Sequence, residues 1–320
     1  MSKYTLEPVS LENLSTIPIA ERGGKVRIEH FGAAHAAGSS LETWLERLPK
    51  LLAADQFRDV VKAIREARAK GKPVLWGMGG HVVKCGLAPI LLDLMRRGYV
   101  QGFAMNGSTA IHDFEIAIAG CTSEDVESVL PDGRFGSAEE TGREMNRAIQ
   151  EGVADGLGWG ESLGRRLEQI AQPSFAPNSL LHEAYRAGVP VTVHVAIGTD
   201  TPHTHPAVDA AALGAATHLD FRLFARLVSM LDGGGVYINL GSAVVLPEVF
   251  LKAISLVRNL GHDVRDFHTV NFDFLQHYRP TANVVKRPHA GSGGSGMAIT
   301  GHHEIMVPLL AAILVEGDKA

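Results

Sequence analysis

The sequence predicts a doubly wound α/β fold, with a mostly parallel sheet and helices on both faces. Three observations support this fold class: short apolar runs typical of buried strands, helical periodicity between those runs, and glycines where the runs end. Hydrophobic residues make up 45% of the 320 residues and charged residues 20%, so the chain can bury a full core. Disorder as the main state is therefore excluded.

The same patterns predict the order of the elements. Residues 1–40 show little periodicity and are expected to form an N-terminal extension, whereas 41–320 are expected to form a single domain. Helical spacing predicts one or two helices over 41–70 and further helices within 121–178. The predicted strands cover 73–80, 99–107, 189–198, 235–241 and 266–274. The other predicted helices cover 82–98, 179–187, 207–231 and 247–260.

Charge and cysteine content exclude several classes of protein. The chain has 30 Lys and Arg against 35 Asp and Glu, and this balance argues against a nucleic-acid or anionic-membrane partner. Two cysteines, Cys85 and Cys121, are too few for a disulfide scaffold and are expected to be free thiols in a reducing cytoplasm. Because the sequence has neither a signal peptide nor a long apolar stretch, we predict a soluble, cytoplasmic protein that does not enter a membrane.

Two glycine-rich segments have more than one interpretation. Gly79 and Gly80 follow the first predicted strand and either place backbone N–H groups around a phosphate or form a plain turn. GSGGSG at 291–296 is expected to be a loop whose backbone approaches a ligand, or a mobile flap.

Polar residues are concentrated where the second predicted strand ends. Asn106, Ser108, His112 and Asp113 lie within MNGSTAIHDFE at 105–115, and the carboxyl end of a parallel strand is where such folds bind ligands. His112 beside Asp113 predicts an acid–base pair. Alternatively, the Asn-Gly pair is a turn and Asp113 caps the following helix.

Histidines follow two later strands. His203 and His205 in GTDTPHTHP either bind a metal, line a polar site, or lie in a solvated loop; no sulfur ligand or H-E-x-x-H helix supports the metal, and we assign no metal ligand. His302, His303 and Glu304 in TGHHEIMVP favour contact with a polar ligand or a substrate amine.

Lys286 lies in NVVKRPHAG, between apolar residues and Arg287. A lysine that is desolvated beside another cation has a lowered pKa and can attack a carbonyl or imine carbon. Most lysines are surface residues without such a role, and the local sequence alone does not decide between the two.

The block VLWGMGGHVVKCGLAPILLDLMRRGYVQGFAMNGSTAIHD at 74–113 resembles deoxyhypusine synthase, and so does MAITGHHEIMVPLLAAIL at 297–314. The resemblance covers about residues 50–315. It implies a Rossmann-like NAD-binding fold, a homotetramer, and NAD-dependent transfer of an aminobutyl group from the polyamine spermidine through a lysine imine. The residues that would line the NAD site on this resemblance are Lys84, Cys85, Asn106, Gly107, Ser108, Asp113, Gly241 and Ser242, with Thr199 and Asp200 matching the family's acidic loop within about two residues.

The sequence also departs from that family. Residues 246–248 are Leu-Pro-Glu where the family has a Lys-His-His run with its base, and Lys286 has an altered spacing to the last strand. Asp273 stands alone in the polyamine-binding stretch, and His302 replaces a late aspartate that touches the cofactor. Replacing carboxylates by His and Arg changes a site for a polycation into one for a neutral or anionic ligand.

The resulting prediction is a deoxyhypusine-synthase-like transferase or oxidoreductase that uses NAD and has a diverged small-molecule substrate, an amine or another polar metabolite. It would perform aminoalkyl transfer, or amine oxidation through an imine. Two alternatives stay open: a non-catalytic nucleotide-binding protein, and a metal-assisted hydrolase or lyase that uses the histidine clusters. The candidate catalytic residues are Lys286, His302, His303, Glu304 and His112, and the cofactor residues are those named above together with Gly79 and Gly80.

Overall fold

A computed structural model describes residues 2–318. Met1 of the predicted N-terminal extension and 319–320 of the predicted domain lie outside the described residues. Its centre is one six-stranded sheet in the order β3-β2-β1-β4-β5-β6, and every neighbouring pair is parallel. The predicted doubly wound α/β fold is confirmed, and the order is that of a Rossmann sheet. The strands are β1 (Val74–Met78), β2 (Gly102–Asn106), β3 (Val191–His194), β4 (Gly235–Leu240), β5 (Phe267–Asp273) and β6 (Ser295–Thr300).

Helices cover both faces of the sheet and also form an excursion between β2 and β3. They are α1 (Leu41–Arg47), α2 (Leu52–Ala69), α3 (His81–Lys84), α4 (Ala88–Arg96), α5 (Gly107–Ala119), α6 (Val126–Val129), α7 (Glu139–Ala154), α8 (Trp159–Ile170), α9 (Leu180–Ala187), α10 (Ala210–Val228), α11 (Val245–Asn259), α12 (Tyr278–Pro280) and α13 (His303–Glu316). A π-helical segment, Thr281–Lys286, continues α12.

The strands are buried on both faces, which explains their nearly continuous apolar sequences. In β1, Trp76 and Met78 join the core beneath α2, α4 and α13, whereas Leu75 points to the opposite face and joins the core beneath α10 and α11. Side chains alternate across a strand, so a strand with a core on each side needs apolar residues at every position.

The predicted helix over 82–98 is two helices. Gly86 lies between α3 and α4 with φ +73°, a left-handed conformation that ends α3. Pro89 is at the start of α4, where its fixed φ is tolerated. The apolar residues keep their helical spacing across this break, so the periodicity predicts one continuous helix.

The GSGGSG prediction was wrong for residues 295–296. Ser295 and Gly296 are the first residues of β6 and pair with β5. A Cβ on Gly294 would lie 1.9 Å from the Phe267 carbonyl oxygen, and one on Gly296 would lie 1.9 Å from the Val285 carbonyl oxygen. These glycines therefore allow other parts of the protein backbone to come close, instead of a ligand. They lie at the amino end of β6, whereas ligands bind at the carboxyl ends of the strands.

The segment before α1 has no α-helix or strand among residues 2–40 and exposes large apolar side chains along most of its length. Ile28–His30 forms a single 3-10 turn there. Among residues 2–318, no helix combines the length and the apolar character needed to cross a membrane.

Candidate functional site

The strand order changes direction between β1 and β4, and we call the carboxyl edge of the sheet around this switch point the crevice. Open α/β sheets bind ligands at such a switch point. The turn after β1 touches the turn after β4: the Gly79 amide donates to the Leu240 carbonyl at 3.0 Å, and a Cβ on Gly79 would lie 2.1 Å from the Gly241 carbonyl oxygen. The glycine at 79 is thus required by packing between these turns.

The short helix α3 starts from this turn and presents two faces. Gly80 lies against Ser108, because a Cβ there would be 2.2 Å from the Ser108 hydroxyl, and Lys84 lies one turn further along the same face. His81 and Cys85 are also one turn apart and occupy the neighbouring face. We call these the cavity face and the donor face of α3.

The cavity face borders a cavity of about 1000 Å³ between α3, α5, α7 and the loop after β3. Its size is in the range of sites that hold a cofactor. The wall combines cationic, hydroxyl, imidazole and carboxylate groups with apolar side chains. The lining residues used below are Lys84, Ser108, His112, Glu115, Thr122, Thr141 and Asp200.

Asp200 is the most buried acid of this wall, with 8% of its surface exposed. It lies against the start of α5, since a Cβ on Gly107 would be 2.2 Å from its carboxylate. Within the described part of the chain, its Oδ2 atom has no hydrogen-bond partner. Burial raises the pKa of this carboxyl to about 6. An unpartnered acceptor buried in a cavity wall is suited to a ligand hydroxyl.

His112 is held by a chain of hydrogen bonds. Its Nδ1 lies 2.7 Å from the Thr122 hydroxyl, which donates to Glu115, and Thr141 donates to the same carboxylate at 3.0 Å. Because the Thr122 proton goes to Glu115, Nδ1 must donate to Thr122, which leaves Nε2 as an acceptor. Burial, and secondarily Lys84, lower the pKa of His112 to about 4, so its ring is neutral at pH 7.

The predicted acid–base pair of His112 and Asp113 is not formed. Successive residues point about 100° apart on a helix. Asp113 is fully buried on the far side of α5, where it accepts from the Ser179 hydroxyl at 2.6 Å and from the amides of Leu180 and Leu181 at 2.7 and 2.8 Å. It therefore caps the start of α9, a helix distant in sequence, rather than the helix that the sequence predicts it to cap, and it does not reach the crevice.

The remaining cofactor candidates surround the crevice with structural contacts. Asn106 caps α5 by accepting from the Thr109 amide at 2.9 Å. The Ser242 hydroxyl accepts from the Leu246 amide at 3.1 Å, within the first turn of α11. Gly241 has φ +64°, and Thr199 donates to the Ala196 carbonyl at 2.7 Å. These contacts fix the turns that line the crevice.

His302, His303 and Glu304 diverge at the start of α13. His303 is buried beside Gly241, with its Nε2 3.3 Å from the Phe272 carbonyl oxygen. His302 is exposed and its ring is parallel to that of Phe274. Glu304 extends towards Cys85, and its Oε2 lies 3.7 Å from the Cys85 sulfur.

The donor face of α3 meets Glu304 in a compact group that we call the donor trio: His81, Cys85 and Glu304. One ligand atom from each lies within 4.8 Å of the other two. In residues 2–318, this is the one place where three or more His, Cys, Asp or Glu side chains come so close. Burial and the nearby Glu304 raise the pKa of the Cys85 thiol.

The structure does not bring His203 and His205 together with the other histidines. The His203 ring is stacked at 6.3 Å on Trp159, and its Nδ1 accepts from the Gly198 amide at 3.3 Å. His205 turns to α7, where its Nε2 lies 3.2 Å from Glu139. Both contacts belong to the packing of this loop.

Lys286 lies away from the crevice. The Val284 carbonyl accepts from Thr269 near the start of β5, and the Pro288 carbonyl accepts from Arg258, so the chain around Lys286 packs at the amino ends of the strands. The side chain of Lys286 is exposed. The structure thus separates it from the other catalytic candidates.

Sequence reasoning missed His81, Thr122 and Thr141. For His81 a signal existed, since H-x-x-x-C at the start of a helix places both side chains on one face. No local pattern marks the two threonines, because their partner Glu115 comes from another element.

No protein family and no curated protein sequence matches the chain. Solved structures are similar to it. A conserved putative LOR/SDH protein from Methanococcus maripaludis S2 is 15% identical with a TM-score of 0.50, over 84% of this chain and 71% of that one. Unliganded AgrE is 16% identical with a TM-score of 0.54, over 89% of this chain and 34% of AgrE.

AgrE has also been solved as a ternary complex with ornithine and NAD+, at 16% identity and a TM-score of 0.50 over 82% of this chain and 33% of that one. This chain thus spans about a third of AgrE. A putative deoxyhypusine synthase from Entamoeba histolytica is 12% identical over 88% of this chain and 95% of that one, with a TM-score of 0.48, which is too low to carry an argument. At these identities the similarity shows the fold alone: a Rossmann-like α/β protein.

Proposed function

We propose that the chain is an NAD-dependent enzyme that oxidises a small polar amine. The observation that carries this proposal is Asp200, a buried carboxylate with an unpartnered oxygen in the wall of a large cavity at the carboxyl edge of the sheet. In Rossmann sheets an acidic side chain after the second strand accepts the ribose hydroxyls of NAD. Asp200 follows β3, the strand next to β2, at the same carboxyl edge. NAD supplies a hydride acceptor when it is bound.

The groups around the cavity fit an adenosine diphosphate. Asp200 would accept from the ribose, Lys84 would pair with phosphate, and the neutral His112 would offer its Nε2 to a hydroxyl or amino group. The other half of the dinucleotide would then extend past the contact of Gly79 with Gly241 towards β4. The reacting end of the cofactor would then lie near the start of α13 rather than in the cavity.

An amine is proposed as the substrate, and its oxidation rather than its transfer as the reaction. The AgrE complex, which has a similar fold, holds ornithine together with NAD+. Lys286 packs at the opposite edge of the sheet, so the transfer of an aminoalkyl group to this lysine is not part of the proposal. Oxidation of the amine to a free imine needs no lysine of the enzyme.

Titration calorimetry with NAD and NADP tests the proposal. Wild type is expected to bind one NAD per chain and to bind NADP at least tenfold more weakly, because the Asp200 carboxylate repels a 2′-phosphate. Asp200→Asn should weaken NAD binding about tenfold, or about 1.4 kcal/mol, and reduce the discrimination against NADP. The matched control Asp263→Asn changes an exposed acid on the far side of the sheet. Equal NAD affinity in wild type and Asp200→Asn would refute the assignment.

The homotetramer that the family resemblance implies remains a prediction. We propose that subunits bury the exposed apolar side chains of the N-terminal extension, which include Leu6, Val9 and Ile19, each more than 80% exposed. Light scattering should give four chains for the full protein and fewer for a variant lacking 2–38. An unchanged mass after the deletion would contradict this role.

A further inference from the structure

We propose that the donor trio, His81, Cys85 and Glu304, is a zinc site on the face of α3 next to the cavity face. This proposal rests on the geometry of the trio and does not depend on the NAD assignment. Zinc–ligand bonds of about 2.1 Å to oxygen and about 2.3 Å to sulfur, at a tetrahedral angle, put the two ligand atoms about 3.6 Å apart. The Cys85 sulfur and Glu304 Oε2 are 3.7 Å apart.

The donor types select among cations. One imidazole nitrogen, one sulfur and one carboxylate oxygen together suit Zn²⁺, whereas Mg²⁺ and Ca²⁺ prefer oxygen ligands throughout. Three protein ligands leave one tetrahedral position open, which is the arrangement of a catalytic rather than a structural zinc. The partial exposure of all three side chains leaves solvent access to that position.

Two helices position the three ligands. His81 and Cys85 share the donor face because they are four residues apart, and Gly86 ends α3 directly after the cysteine. Glu304 is in the first turn of α13, held by packing of that helix on α2 and α4. The His81 ring also contacts the buried His303 ring edge-on, at 5.8 Å between centroids.

Zinc binding has a defined proton balance. The Cys85 S–H bond breaks as the zinc–sulfur bond forms, and the proton passes to solvent, while His81 binds as neutral imidazole and Glu304 as carboxylate. No oxidant or reductant is needed. Apparent affinity should therefore rise with pH while the thiol still carries its proton.

The donor trio lies beside the part of the crevice where β4 and β5 end, because His81 contacts His303, which lies against Gly241 and the Phe272 carbonyl. A zinc ion there would bind a nitrogen or oxygen atom of the substrate and stabilise charge on it as a Lewis acid. On this view the donor face contributes to chemistry and the cavity face contributes to cofactor binding.

The test uses the full-length protein, stripped with a chelator and titrated with zinc and then with cobalt(II). Wild type should bind one zinc per chain and, with cobalt, show a thiolate charge-transfer band in the near ultraviolet. Cys85→Ser should lose this band, and both Cys85→Ser and His81→Ala should lower zinc affinity at least a hundredfold. Cys121→Ser, which alters the other free cysteine, should behave as wild type.

Circular dichroism of every variant shows whether the fold is retained. Because His81 and Glu304 are exposed, His81→Ala and Glu304→Gln should fold normally and keep the proposal testable even if Cys85→Ser is unstable. Absence of stoichiometric zinc in folded wild type would overturn the proposal, and so would a cobalt–thiolate band that persists in Cys85→Ser or disappears in Cys121→Ser.

Discussion

The two faces of α3 serve different environments although their residues alternate in sequence. Lys84 borders the large cavity, whereas the adjacent Cys85 belongs to a cluster with Glu304 from the other end of the chain. The cavity is formed by elements that follow β1, β2 and β3. The donor trio requires α13 as well, because this helix carries Glu304. Adjacent residues on a helix therefore contribute to separate sites, while residues four apart contribute to the same one.

The largest effect is expected from a change that moves both faces together. In Gly79→Ala the new methyl group would lie 2.1 Å from the Gly241 carbonyl oxygen, and only a backbone shift at the root of α3 can relieve this overlap. We expect the free energy of unfolding to fall by about 2–3 kcal/mol in denaturant titrations. NAD and zinc affinity should fall together.

Gly293→Ala is the control, because a Cβ at Gly293 has no atom within 4 Å among the described residues. A Gly79→Ala variant with wild-type stability and both ligand affinities intact would show that the two turns are not the shared support of the two faces.

A change at the cavity face alone should separate the two environments. Lys84→Met keeps the length of the side chain and removes its charge, so NAD affinity should fall about tenfold through the loss of a charge-assisted contact to phosphate. Zinc affinity should stay within twofold of wild type. Lys62→Met, at an exposed position of α2, is the control for loss of a positive charge. Equal losses of NAD affinity in both variants would indicate a general charge effect instead.

The pH dependence of stability sharpens the description of the cavity face. Burial and the nearby Lys84 lower the pKa of His112 to about 4, whereas a free histidine has a pKa near 6.5. The other charged group near the ring is Glu115, which is linked to it by hydrogen bonds through Thr122. Between these values the unfolded chain takes up a proton that the folded chain does not. Stability supplied by this group is therefore present above pH 6.5 and is lost as the pH falls towards 4.

Thermal melts between pH 7 and pH 4 should show a shallower acid loss for His112→Gln than for wild type. His262→Gln, at an exposed histidine, should keep the wild-type slope. A steeper slope in His112→Gln would mean that the ring is already protonated in the folded protein.

The smallest effect is expected at Lys286, outside both environments. Because its side chain is exposed and the surrounding chain packs at the amino ends of the strands, Lys286→Ala should change NAD affinity and zinc affinity by less than twofold. Calorimetry of both ligands checks this. A tenfold loss of NAD affinity would return this lysine to the set of active-site candidates.

The fold could be predicted from the sequence because its signals are local. Trp76 and Leu75 lie on opposite faces of β1 and both are buried. An unbroken run of apolar residues predicts a strand that is buried on both faces, whatever the rest of the chain does. The break between α3 and α4 was missed because Gly86 acts through its backbone conformation, which periodicity does not record.

The sites were predicted less completely because side-chain direction depends on tertiary structure. Asp113 was assigned to the cofactor site by resemblance, but it faces α9 and caps that helix. His203 and His205 are close in sequence and turn to different partners, whereas His81 and Glu304 are distant in sequence and meet. Spacing along the chain identifies ligand groups only within one helix or strand.

A crystal structure of the full chain grown with NAD and zinc would locate both ligands relative to α3 in one experiment. We expect the adenosine ribose within hydrogen-bond distance of Asp200 in the cavity, and an anomalous zinc peak bounded by His81, Cys85 and Glu304 on the neighbouring face of α3. Nucleotide density outside the cavity, or a zinc peak elsewhere with none at the trio, would contradict the division of α3 between a cofactor site and a metal site.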